Sequence, residues 1–140
     1  MILVTGGAGY VGRNVCRALG KGVVALDDLR NSWRSALPEG VPLHERELTV
    51  AHLDFARYDA VIHCAGSMDV AESVAHPSMY WWNNVAVAAA FFPRFAGKHV
   101  VFSSTCQVYG NPAAVPVAED AAANPVNPYG QSKLAAEAVL

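Results

Sequence analysis

The chain has no run of basic residues. Its ten Lys and Arg are scattered among twelve Asp and Glu, for a formal net charge of −2. A dedicated nucleic-acid binder concentrates positive charge on one surface, so that class is excluded and no nucleic-acid partner is expected. No apolar stretch reaches the roughly 20 residues of a membrane span, so no membrane partner is expected either. The opening MILVTGG lacks the basic n-region of a signal peptide, which predicts a cytoplasmic protein starting directly in its first strand. Cysteine is scarce. Cys16, Cys64 and Cys106 form no C-x-x-C or Cys/His spacing, so neither a disulfide framework nor a metal centre is implied. They read as buried or half-buried thiols of a reducing compartment. Internal repeats and low-complexity tracts are also missing.

What is present is a core. The 140 residues are 53% hydrophobic, enough for one domain with a packed interior. The organising stretch is Met1–Asp27. Ile2, Leu3 and Val4 read as a buried strand, Thr5–Gly12 as a glycine turn and Arg13–Leu19 as a helix with Val11, Val15, Ala18 and Leu19 on its apolar face. Val23–Leu26 reads as a second strand closed by Asp27 and Asp28. Gly7-x-Gly9-x-x-Gly12 fits the dinucleotide-binding pattern, and Gly6-x-x-Gly9-x-x-Gly12 its longer variant. Such glycines allow the tight turn, the approach of backbone to a pyrophosphate and the close seating of helix on sheet. The free N–H groups at the helix start then face the phosphates. Asp27 stands about 20 residues on, where a carboxylate accepts hydrogen bonds from ribose hydroxyls.

Strands and helices alternate beyond this unit. Asp28–Ser32 is a polar loop at the carboxyl end of strand two, where open α/β sheets bind ligands. Residues 41–43 form a weak third strand that Pro42 places at the sheet edge. Residues 50–58 have room only for a short helix. Residues 60–64 form strand four, and Met79 to about Phe95 a helix that Pro93 must end or kink. Residues 100–103 form strand five, followed by a proline-bearing loop over 111–128. A helix then runs from Tyr129 toward Leu140 with no stop signal. The expected fold is α/β, a Rossmann-type doubly wound parallel sheet of order 3-2-1-4-5.

Tyr129 and Lys133 stand at i and i+4, one face of a helix. An ammonium beside a phenol favours the phenolate, a state suited to removing a proton from a sugar hydroxyl. The pair follows a strand ending in Ser103-Ser104-Thr105. His63 reads as a packed core residue, and His44, His52 and His76 have no ligand spacing.

These residues, together with His63–Gly66, Glu72-Ser73-Val74, Asn83-Asn84-Val85, Val108-Tyr109-Gly110 and Asn127–Lys133, resemble the extended short-chain dehydrogenase/reductases, nearest to the UDP-glucose 4-epimerase branch. The resemblance implies NAD as cofactor and a nucleotide-sugar substrate, UDP-glucose or UDP-galactose, epimerised through a 4-keto intermediate. It implies Tyr129 as acid/base and as a cofactor contact, Lys133 beside it on the nicotinamide ribose, and Thr105 as the catalytic hydroxyl. For the cofactor it implies Gly6, Gly9, Tyr10, Val11 and Gly12 at the pyrophosphate, and Asp27, Asn31 and Ser32 at the adenosine ribose. Glu47 and Leu48 would lie near adenine, Cys64, Ala65 and Gly66 beside strand four, and Asn83 would reach in from the next helix. It further implies a homodimer, with Trp81, Trp82, Phe91 and Phe92 lending apolar groups to the paired surface. The family continues with a sixth strand and a smaller nucleotide-sugar domain. Residues 1–140 therefore read as its NAD-binding portion, expected to be inactive alone.

Met68 departs from the pattern, standing where many of these epimerases carry a cofactor-contacting lysine. Glu47 replaces the usual Asp, and the connections at 21–23 and 93–100 are short. A sugar-nucleotide 4,6-dehydratase or decarboxylase is the rival enzyme, but a dehydratase carries an acidic pair where Cys106-Gln107 follow Thr105. A non-catalytic NAD-binding domain is the rival outside catalysis, and the intact Thr105, Tyr129 and Lys133 set argues against it. Asp27 would repel a 2′-phosphate, so NAD is expected over NADP, with Arg30 the one nearby charge that could offset this.

Overall fold

A computed structural model describes residues 1–50 and 52–140. Five parallel strands form one sheet: β1 (Ile2–Thr5), β2 (Val23–Asp27), β3 (Leu43–Glu45), β4 (Ala60–His63) and β5 (His99–Phe102), in the order β3-β2-β1-β4-β5. This is the Rossmann-type order that the sequence predicts. The chain packs as two units. Residues 1–65 and 90–103 form the first, and 66–89 with 104–140 form the second.

The first unit holds the sheet. Leu3 and Val4 point to opposite faces of β1, yet both are fully buried. A strand covered on both sides reads as a continuous apolar run, which is why ILV gives no alternation. On one face Val4, Val23 and Ala25 pack with Cys16, bordered by Ile2, Val15, Leu37, Val41, Leu43 and Ile62. Cys16 belongs to α1 (Tyr10–Leu19), which ends on Gly20 at φ 66°. The buried face of α1 therefore centres on Gly12 and Cys16, one turn apart. Val11 (52% exposed), Ala18 and Leu19, placed on that face by the sequence reading, are exposed. Elsewhere in this unit Phe91 and Phe92 are buried against the His63 ring at 5.6 and 5.0 Å. They are core residues, not the surface apolar groups expected of them. His63 is the packed core residue predicted, its Nδ1 2.8 Å from the Thr5 Oγ1.

Strand β3 lies at the edge as Pro42 implies, but begins at Leu43. Pro42 has no N–H to give the ladder; its carbonyl accepts from Ala25 N–H at 2.9 Å, and pairing then runs Leu43 to Ala25. The short helix expected over 50–58 is one 3₁₀ turn, Phe55–Arg57, capped by Asp54; Ala51 lies outside the described residues.

The second unit contains α2 (Val70–Ala75) and α3 (Pro77–Tyr80). A π-helical stretch follows, Trp81–Ala86, and α4 (Val87–Phe91) carries the chain to the first unit. The uniform helix expected over 79–95 is thus broken by the π turn and tightened to 3₁₀ over Phe92–Phe95, where Pro93 occupies the first turn. Helix α2 was not anticipated, although Asp69 and Glu72 have capping spacing and the Asp69 carboxylate accepts from the Glu72 N–H at 2.8 Å. No helix or strand occurs between Gly110 and Asn127. Helix α5 (Pro128–Glu137) closes the unit, ending three residues short of Leu140. Among the described residues, no helix is long and apolar enough to cross a membrane.

Candidate active site

In the first unit the glycine turn follows β1 and delivers α1 with Gly9 as its N-cap. No side chain caps this end, so its N–H groups remain available to an anion. A Cβ on Gly12 would stand 2.1 Å from the Gly6 carbonyl oxygen, and one on Gly6, at φ 62°, 2.7 Å from the Ala65 nitrogen. These two glycines let the turn close on itself and on the end of β4. Gly9 differs: a Cβ there meets nothing nearer than the Gly6 oxygen at 3.2 Å. That contact is tight but is made with a single atom, so Gly9 is the least constrained of the three. Tyr10 and Val11 are exposed in the first turn of α1, with the Arg13 guanidinium 5.3 Å from the Tyr10 ring centre.

Asp27 ends β2 beside this turn. One carboxylate oxygen accepts from Ala8 N–H at 3.0 Å, and the other from Leu29 N–H and the Ser32 hydroxyl, each at 2.8 Å. The carboxylate is thereby fixed against the glycine turn while its first oxygen keeps a free lone pair. Asn31 is exposed on the same loop. Glu47 forms an ion pair with Arg30, and Leu48 opens a 3₁₀ turn, Leu48–Val50. Cys64 N–H donates to the Thr5 carbonyl at 3.0 Å and Ala65 N–H to the Thr5 hydroxyl at 3.4 Å. Gly6, Gly9, Gly12, Asp27, Ser32 and Ala65 are thus held at one end of the sheet.

In the second unit Thr105 caps a 3₁₀ turn, Cys106–Tyr109, its hydroxyl accepting from Gln107 N–H at 3.2 Å. Asn127 caps α5, accepting from Gly130 N–H and donating to the Gln107 side chain, both at 2.8 Å. A Cβ on Gly130 would lie 2.6 Å from the Gln107 carbonyl oxygen, so the first turn of α5 rests directly on the turn that Thr105 begins. Tyr129 sits in that first turn, half-buried, and Lys133 one turn later is 6% exposed. The Tyr129 ring meets Tyr80 edge-on at 6.2 Å. Tyr80 is fully buried and donates its hydroxyl to Glu72 at 2.8 Å; burial, and then this bond, push its phenol well above the ordinary range.

Residues 2–140 match the model of the NAD dependent epimerase/dehydratase family. The chain belongs to that family. It is 46% identical to the UDP-glucose 4-epimerase of Azospirillum brasilense, over 99% of this chain and 43% of that protein. Among solved structures, UDP-glucose 4-epimerase from Brucella ovis in complex with NAD superposes with a TM-score of 0.88 at 35% identity, covering 99% of this chain and 46% of that one. The UDP-Glc/GlcNAc 4-epimerase from Campylobacter jejuni gives 0.87 at 31%, covering 99% and 47%. The chain spans less than half the length of these relatives.

Within this family member the sequence gives a cofactor role to Asn83 and none to its neighbour Asn84. Asn83 donates to the Ser67 hydroxyl at 3.0 Å. Asn84, 3% exposed, accepts from Ser67 N–H at 2.8 Å, donates to the Ser67 carbonyl at 3.0 Å and donates to Ser132 at 2.9 Å. Both asparagines lie in the π-helical stretch, a local geometry found often at functional sites. The Tyr80–Glu72 bond was also missed, because eight residues of separation across two helices leave no periodic signal. Gly66 neighbours Ser67 and faces Asn84, whose Oδ1 would stand 2.8 Å from a Cβ there. Of the cysteines, Cys16 is buried and Cys64 half-buried as expected, whereas Cys106 is exposed. Burial, and then the nearby Cys64, push the Cys16 thiol up to about 11.

Proposed function

We propose that this chain is the cofactor-binding portion of an NAD-dependent sugar-nucleotide 4-epimerase that interconverts UDP-glucose and UDP-galactose. The observation that carries the reading is the seating of the first turn of α5, with Tyr129 and then Lys133, on the turn begun by Thr105. The relatives named above support the substrate class. The residues fit NAD: the start of α1 after Gly9 has no side-chain cap, and Asp27 keeps an acceptor site beside it. Bound there, NAD would supply a reversible hydride acceptor.

The chain's own residues would do the rest. The N–H groups of Tyr10, Val11 and Gly12 would bind the pyrophosphate. Asp27, with Asn31 and Ser32 alongside, would accept from the adenosine ribose, and Glu47 and Leu48 would lie toward the adenine. Cys64, Ala65, Gly66 and Asn83 would line the remaining cofactor surface. Thr105 would hydrogen-bond the sugar 4-hydroxyl. Tyr129 would take its proton as C4 is oxidised and return it as C4 is reduced from the other face. Lys133 would bind the nicotinamide ribose and hold positive charge beside Tyr129.

The whole protein would work in the cytoplasm as a homodimer, with Trp81 and Trp82, 43% and 63% exposed, contributing to the paired surface. Light scattering at micromolar concentration reads this directly, and a monomer would refute it. For the activity, the full-length protein is purified, its bound nucleotide identified by mass spectrometry, and UDP-galactose supplied. UDP-glucose should form without net consumption of NAD. A 4-keto-6-deoxy product would establish the dehydratase instead, and bound NAD with no turnover the non-catalytic domain.

A further inference from the structure

Arg30 lies three residues beyond Asp27 and is held between two carboxylates. Its Nε is 3.4 Å from the Asp28 carboxylate, and its terminal nitrogen pairs with Glu47. The Asp28 side chain also accepts from Arg30 N–H at 3.1 Å, so the loop backbone and the guanidinium are tied to the same group. The surrounding loop, Leu29–Arg34, lines an open hollow of about 520 Å³ whose wall includes Arg30, Arg34 and Ser32, the last donating its hydroxyl to Asp27. A guanidinium directed into that hollow would be the natural receptor for a phosphate on the adenosine ribose, since Arg recognises phosphate with paired donors. The loop spends that capacity on Glu47 instead.

We propose that Glu47 is a cofactor-selectivity determinant: by pairing with Arg30 it withholds the guanidinium nearest in sequence to Asp27 from a ribose 2′-phosphate and so disfavours NADP. This rests on the NAD reading of the same site. It assigns to Glu47 a role distinct from lying near adenine, because the effect passes through Arg30. Two negative groups, Asp27 and Glu47, then act together, one repelling the extra phosphate and the other neutralising what would attract it. Loss of Glu47 frees the terminal nitrogen of the guanidinium, with Asp28 still at its Nε, and removes one negative charge beside it. An exposed pair of this kind is modest in strength, so the shift should be a few-fold and smaller at high salt.

The test is isothermal titration of the full-length protein, freed of nucleotide, with NAD and with NADP at low ionic strength. Four forms are compared: the parent, Glu47→Gln, Asp28→Asn and Glu47→Gln with Arg30→Ala. Glu47→Gln should raise the ratio of NADP to NAD affinity by about threefold or more, Asp28→Asn should raise it in the same direction, and adding Arg30→Ala should abolish the gain. A ratio changed by less than threefold in Glu47→Gln, or a gain that survives Arg30→Ala, overturns the proposal while leaving NAD binding intact. A parent protein that binds neither nucleotide overturns the NAD reading itself, and this proposal with it.

Discussion

Asn84 donates to the Ser132 hydroxyl at 2.9 Å, and Ser132 donates in turn to the Tyr129 carbonyl at 2.8 Å. The same Asn84 amide grips both the N–H and the carbonyl of Ser67. One buried side chain thus ties the loop after β4 to the first turn of α5. Asn84→Ala removes the partner of the Ser67 N–H and of its carbonyl, and one of the two bonds of the Ser132 hydroxyl. Each buried polar group left unpaired costs about 1–3 kcal/mol, and partial exposure of Ser67 reduces the sum, so a loss of about 2–4 kcal/mol is expected. Urea denaturation reads it. A change below about 1 kcal/mol would mean that water replaces the amide.

The glycine turn separates structural from ligand-facing positions. Gly12→Ala drives a methyl to 2.1 Å from a backbone oxygen, which no rotamer relieves, and should cost about 3 kcal/mol or more. Gly9→Ala, at φ −68°, brings its methyl to 3.2 Å from the Gly6 oxygen, a contact that a shift of a few tenths of an ångström relieves, and should change stability by about 1 kcal/mol. Its methyl instead occupies the space left for the pyrophosphate, so NAD affinity should fall at least about tenfold, or 1.4 kcal/mol. Denaturation and NAD titration of both variants decide the matter; unchanged affinity in Gly9→Ala would remove the pyrophosphate from this position.

His44 gives the fold a pH dependence of definite sign. Its Nε2 lies 2.9 Å from the Tyr58 hydroxyl, and burial, then Arg46 and Arg57, lower its pKa. The folded state therefore binds the imidazole proton less readily than the unfolded chain. The stabilising contribution is complete above the unfolded value of about 6.5 and is lost as pH falls through the lowered folded value. Urea midpoints at pH 7.5 and pH 5 should show a fall, and His44→Gln should show a smaller one. An equal fall in both would place the titration elsewhere.

The sequence was legible where local pattern and function coincide. Gly6, Gly9 and Gly12 after a buried strand, with Asp27 closing the next, reflect one backbone geometry, and the sheet order follows from β-α-β connectivity. Legibility failed where tertiary contacts decide. The face of α1 is set by Gly12 seating the helix, so the small Cys16 is buried and the larger Val11 and Leu19 are exposed. Phe91 and Phe92 look alike at a helix surface or in a core, and it is the rings packed on them, His63, Phe55, Phe95 and Phe102, that distinguish the two. The π turn has no sequence period of its own, so Asn83 and Asn84 could not be told apart before their partners were seen.

Tyr129→Phe is the sharpest test of the proposed chemistry. The ring remains to meet Tyr80 edge-on, and α5 keeps its Asn127 cap and the Asn84–Ser132 tie, none of which uses the phenol oxygen. Stability should therefore change little. NAD should bind nearly as before, because the groups proposed to hold its pyrophosphate and adenosine ribose belong to the glycine turn and to Asp27 and the loop after it. Only a proton-transfer group is lost, which typically costs about 10²–10⁴ in rate. The loss should fall on kcat, with KM for the UDP-sugar nearly unchanged. Tyr80→Phe is the control: it removes the bond to Glu72 while keeping the ring, so its effect should be far smaller. The measurement is steady-state turnover of full-length protein on UDP-galactose, with calorimetric NAD binding on the same preparations. A Tyr129→Phe enzyme keeping more than half its kcat would show that the proton moves through another group, and a loss matched by Tyr80→Phe would show that the ring pair supports structure alone.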